Sequence, residues 1–77
     1  MDTMTAEDRA LHYIRWHAVA YGAPAPMDEI ADQLRNRHGL TEAQSHDLLV
    51  SMRSAGRIAY TDGEFVSGGW HEVPHNA

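Results

Sequence analysis

The sequence predicts a mainly helical domain closed by a small β-hairpin, and three observations carry that prediction. Runs of helical periodicity end at Gly22, Gly39 and Gly56, which divides residues 5–56 into three helices. The third run opens with Thr41-x-x-Gln44, the pattern of a capping box. Beyond Gly56, residues 57–60 (RIAY) and 64–67 (EFVS) read as short strands flanking Asp62-Gly63, a pair that suits a type I′ hairpin turn. Helix, sharp stop, strand, turn and strand make the second half of a winged helix-turn-helix. Two upstream helices complete it, giving three helices and a wing of two or three strands.

The first helix starts behind Thr5, a good N-cap, with Glu7 and Asp8 where the helix dipole favours acids, and runs to about Tyr21. Its predicted core face is Ala10, Leu11, Ile14, Ala18 and Tyr21. The opposite face should be polar, yet it carries His12, Tyr13, Trp16, Val19 and Ala20. A helix apolar nearly all round is normally covered on both sides, so the chain's own tail or a second protomer should cover Trp16. Residues 22–26 (GAPAP) form a stiff connector, because two prolines exclude helix. A short strand near residues 25–27 is expected to join the wing.

The second helix begins near Pro26 and buries Met27, Ile30, Ala31 and Leu34. Asp28, Glu29 and Asp32 load its start and Arg35 and Arg37 its end, a polarity the helix dipole explains without invoking function. The third helix faces inward with Ser45, Leu48, Leu49, Met52 and Ala55. Ile58, Tyr60, Phe65 and Met27 should close the core over it. Residues 5–67 then form the domain. Residues 68–77 form a tail without periodicity, in which Trp70 and Val73 are too apolar for full solvation and should dock on the first helix or on a partner.

Bulk properties limit the function. Seventy-seven residues make one small domain, which buries only about 60–65% of its unfolded surface. Without Cys there is no disulfide and no thiolate zinc site, so packing or assembly must supply stability. No apolar run approaches the ~20 residues of a membrane span. No basic segment followed by an apolar one marks a leader, so a cytoplasmic protein without membrane contact is expected. Eleven acidic and six basic side chains give a formal net charge of −5. That opposes nucleic-acid binding, where cations displacing counterions from phosphate supply much of the affinity. All six cations are arginines, the residue type able to grip phosphate or guanine with two hydrogen bonds.

Tyr13-Ile14-Arg15-Trp16-His17, Gly22-Ala23-Pro24 and Glu29-Ile30-Ala31-x-x-Leu34 resemble the first half of the winged-helix domains of LexA-type repressors. Leu49-x-x-Met52-x-x-x-Gly56-x-Ile58 resembles the recognition helix and first wing strand of the same family, so the likeness spans residues 9–66. It implies DNA binding. Three features depart from the family. The turn over residues 35–40 looks longer than the family's tight turn, Pro26 replaces the usual Thr or Ser cap, and nothing corresponds to the C-terminal dimerisation and self-cleavage domain.

Two functional hypotheses follow. In the first, the chain is a DNA-binding transcriptional regulator, dimeric, that places the outer face of its third helix in the major groove of double-stranded DNA. Its DNA-contacting residues would be Gln44, His46, Val50 and Arg53, with Arg35, Arg37 and Arg57 as a basic rim. Glu42, Asp47, Asp62 and Glu64 sit where such a protein wants the opposite sign. In the second, it is a protein-interaction module or small inhibitor whose partner interface includes His12, Tyr13, Trp16, Val19 and Trp70. His71-x-x-x-His75 has metal-ligand spacing, but Pro74 excludes the helix that would bring the pair together, and solvated or partly packed histidines are expected instead. No catalytic constellation, metal site or cofactor motif stands out.

Overall fold

The computed structural model describes residues 4–62 and 68–74. Three helices, α1 (Ala6–Tyr21), α2 (Met27–His38) and α3 (Glu42–Ser54), precede two strands, β1 (Ile58–Thr61) and β2 (Gly69–Glu72). This is a winged-helix-like layout.

Local chemistry sets the helix ends. Thr5 Oγ1 accepts from the Asp8 amide at 3.1 Å, and the Asp8 carboxylate accepts from the Thr5 amide at 3.4 Å. Thr41 and Gln44 repeat this box ahead of α3, at 3.1 and 2.9 Å. Two orphan amides are thus satisfied at each start. Pro26 offers α2 no side-chain cap. The turn into α3 is tight, contrary to expectation. α2 stays helical through His38, and Gly39, Leu40 and Thr41 alone connect it to α3. Gly39 closes α2 at φ 68°, a left-handed geometry that disfavours any side chain, and its amide returns to the Arg35 carbonyl at 3.0 Å.

The wing differs more. β1 and β2 pair antiparallel with Ile58 opposite Glu72, Tyr60 opposite Trp70 and Thr61 opposite Gly69. The partner of β1 is therefore residues 69–72, and the turn expected at Asp62-Gly63 reaches into residues outside those described. The strand expected at residues 64–67, with Phe65, lies outside the described residues. The expected third strand is present as a single bridge. Ala25 and Trp70 exchange both backbone hydrogen bonds, at 2.9 and 2.8 Å. β2 thus lies between the connector and β1. Gly69 permits this, because a Cβ there would sit 2.8 Å from the Ala25 oxygen and 2.9 Å from Pro24 Cβ.

The core gathers Ala10, Leu11 and Ile14 of α1, Ile30 and Leu34 of α2, Leu49 and Met52 of α3, with Ala25, Ile58 and Trp70. Fully burying an aliphatic side chain of this size contributes about 1.5–3 kcal/mol. On α1 the fourth buried position is His17; Ala18 and Tyr21, expected inside, are exposed. α1 outruns the core there, and His17 Nδ1 lies 2.9 Å from the Ala23 carbonyl oxygen of the returning connector. Ala55 is exposed and Tyr60 half-exposed, while Leu48 and Met27 pack at the margin. Trp70, expected to dock on the first helix or on a partner, is 5% exposed and belongs to the core. Its ring meets Tyr60 edge-on at 5.4 Å. Arg15 clamps β2 to α1 with two hydrogen bonds to Glu72, at 2.9 and 2.6 Å. No helix among the described residues is long and apolar enough to cross a membrane.

Candidate functional site

Two surfaces carry the residues singled out from the sequence. The first is the outer face of α3. Its inner face is fixed by Ser45, Leu49 and Met52, which leaves Glu42, Ala43, Gln44, His46, Asp47, Ser51, Arg53 and Ser54 exposed and Val50 half-buried. Gln44 spends its carbonyl oxygen on the Thr41 amide, so its NH2 group remains to donate outward.

The cations expected to support this face do not gather on it. Arg35 donates to Asp32 at 2.6 Å and lies beside Asp28, Ala31 and Glu42 in a small recess between α2 and α3. The neighbouring groove, of about 500 Å³, is lined by Met27, Glu42, Ala43, His46 and Asp47. Four carboxylates, Asp28, Asp32, Glu42 and Asp47, thus flank the N-terminal half of α3. Arg57 is paired with Glu7 of α1. Arg37 points to the opposite side of α2, toward α1. Only Arg53 joins Gln44, His46 and Val50 on the α3 face, and it has no ion-pair partner among the described residues.

The second surface is the outer side of α1. Tyr13, His17 and Tyr21 recur at intervals of four on α1, with Trp16 beside them, so their rings form a ladder. Centroid separations are 5.6 Å for Tyr13–Trp16, 5.7 Å for Trp16–Tyr21 and 4.7 Å for His17–Tyr21. The ladder is only partly covered: Trp16 is 48% exposed, Tyr21 65% and Val19 88%.

Its inner edge is anchored by polar bonds. The Tyr13 hydroxyl donates to Glu29 Oε1 at 2.6 Å. Burial first, and then the bond to the Glu29 carboxylate, push the phenol up to about 12, because the phenolate would lose both solvent and bond. His17 Nδ1 faces a carbonyl, which can only accept, so Nδ1 carries a proton and Nε2 faces Glu29 at 3.7 Å. Alongside runs a groove of about 290 Å³ between α1 and α2, lined by Arg9, His12, Tyr13, Trp16, Gln33 and Arg37.

The structure thus brings together His12, Tyr13 and Trp16 from the expected partner interface, with Val19 further along the same helix. It removes Trp70 to the core. It adds Arg9, His17, Tyr21, Gln33 and Arg37. The four-residue spacings Tyr13-His17-Tyr21 and Gln33-Arg37 were the available signals for most of these, since such pairs share a helix face.

Among the described residues no group of three or more His, Asp or Glu is placed to hold a metal ion. His71 is hydrogen-bonded to Thr61, and His75 lies outside the described residues. No protein-family model matches the chain, and no curated protein is significantly similar to it.

Proposed function

We propose that this chain is a winged-helix protein-interaction module that docks a partner through the outer face of α1 and the α1–α2 groove. The carrying observation is the Tyr13-Trp16-Tyr21 ladder, exposed at Trp16 and Tyr21, with Tyr13 and Trp16 beside Arg9 and Arg37. A domain this small has little apolar surface to leave in water. Trp, Tyr and Arg are the residue types that dominate binding energy at protein interfaces. Electrostatics supports the same reading. The face that helix-turn-helix proteins turn toward DNA here carries Asp28, Asp32, Glu42 and Asp47, on a chain of net charge −5.

A second reading is a dimeric DNA-binding transcriptional regulator. It is supported by the resemblance to LexA-type repressors and by the exposed Gln44, His46 and Arg53 on α3.

One experiment separates them. A photo-crosslinking residue is placed at position 16 or at position 46 and irradiated in the cell of origin. The expected outcome is a protein adduct at position 16 that resists nuclease. A nucleic-acid adduct at position 46, with salt-dependent duplex binding that Arg53→Glu abolishes, would overturn the proposal in favour of the regulator.

A further inference from the structure

The α1–α2 groove is graded from charge to ring. Arg9 and Arg37 stand at one end, His12, Tyr13 and Gln33 in the middle, and Trp16 at the other. The antiparallel run of the helices produces this order. Tyr13 and His17 meet Glu29 near the start of α2, so the N-terminal part of α1 lies beside the C-terminal part of α2.

Among the described residues no carboxylate lines the groove, although the chain has eleven. Arg37 is exposed and without an ion-pair partner among the described residues; Arg9 has interactions of its own, so the cationic end rests on Arg37. From the groove we infer that the partner segment is an acidic peptide with an apolar anchor, its carboxylates on Arg37 and its anchor on Trp16. This rests on the protein-docking reading above and specifies the partner's chemistry.

Spacing sharpens the motif. Arg37 lines the same end of the groove as Arg9, which lies seven positions before Trp16 on α1, about 10 Å at 1.5 Å per residue. An extended chain covers that in about three residues. The segment is therefore Asp or Glu, a few intervening residues, then an aromatic or large aliphatic residue. A single-stranded nucleic acid could also stack a base on Trp16 and set a phosphate on Arg37. The peptide is favoured because a polyanion needs several cations along its path, whereas the cationic end of this groove rests on Arg37, on a chain of net charge −5.

The test is fluorescence anisotropy with the full chain and labelled probes. The peptides are Asp-Asp-Ser-Ser-Trp, Lys-Lys-Ser-Ser-Trp and Asp-Asp-Ser-Ser-Ser, and a short oligothymidylate competes. The expected result is that the first peptide binds at least about tenfold tighter than either control. Arg37→Glu and Trp16→Ala should each weaken it by about tenfold or more, and Arg53→Glu should leave it unchanged. Arg37 is exposed on the last turn of α2, so its variant keeps the fold, and reversing its charge against the helix dipole lowers the melting temperature by a few degrees at most.

Equal binding of the lysine peptide, indifference to Arg37→Glu, or stronger binding of oligothymidylate would each overturn the inference. So would a solution mass of twice 8.6 kDa that Trp16→Ala halves, which would give the groove to a second copy. If the protein adduct at position 16 forms while acid preference is absent, only the partner chemistry fails. If that adduct is also missing, the docking reading fails with it.

Discussion

Tyr13 does two jobs on α1. Its ring stacks toward Trp16, and its hydroxyl holds Glu29 of α2 at 2.6 Å. The phenol titrates near 12 in the fold, against an ordinary value of 10.0. The neutral form is therefore favoured by folding. That contribution is complete below pH 10 and is lost as pH rises from 10 toward 12. Tyr13→Phe should lower stability by about 0.5–1.5 kcal/mol at neutral pH and flatten this alkaline loss. Urea melts of both proteins between neutral and alkaline pH check it; parallel curves would show that the bond contributes nothing. Gly69 is the other decisive residue. An alanine Cβ there meets Ala25 backbone and Pro24 within 3 Å, and neither is the end of a flexible chain. Gly69→Ala should cost about 1–3 kcal/mol, the usual range for overpacking. Hydrogen exchange at the Ala25 and Trp70 amides should rise first, because those two bonds form the bridge.

At the scale of elements, the helices were legible and the wing only half so. Thr5, Thr41 and Gly39 act on atoms within a few positions of themselves, so a local pattern reports them faithfully. Asp62-Gly63 is an equally local signal, but a strand's partner is chosen by distant contacts. Trp70 meets Ala25 of the connector and Tyr60 of β1, and burying that indole sets which segment pairs with β1. The same nonlocality hid His17, whose place in the core depends on the Ala23 carbonyl folding back onto α1. It also scattered the arginines, which share a composition but not a face. Arg15 shows what such a long-range contact contributes. It holds β2 to α1, and its hydrogen bonds to Glu72 keep that carboxyl below the usual carboxylate range. A depressed acid stabilises above its unfolded value, and the contribution vanishes as pH falls through the folded one. The pair is solvent-exposed, so its worth is at most about 1 kcal/mol and salt should weaken it. Glu72→Gln should remove that acid-side dependence while shifting the neutral melting temperature by a few degrees at most. An unchanged acid limb would show that the pair is only apposed.

At the scale of the whole molecule, charge is sorted by face. Asp28, Asp32, Glu42 and Asp47 border α3, while the α1–α2 groove holds Arg9 and Arg37 and, among the described residues, no acid. If this sorting is what keeps α3 off DNA, reversing it should create binding that the native chain lacks. Glu42→Lys with Asp47→Lys raises the formal net charge from −5 by two units per substitution. Both residues are exposed on α3, so the fold should survive. Duplex DNA titrated at low and at about physiological salt should then bind the double variant weakly, with affinity falling steeply as salt rises, and the native chain not measurably. Binding of the acidic peptide in the α1–α2 groove should hardly change, because these two positions line a different groove. The opposite order would be equally informative. A native chain that binds duplex more tightly than its lysine variant would mean that Glu42 or Asp47 accepts a hydrogen bond from cytosine in the major groove. The carboxylates would then be specificity determinants, and α3 would be a reading helix after all.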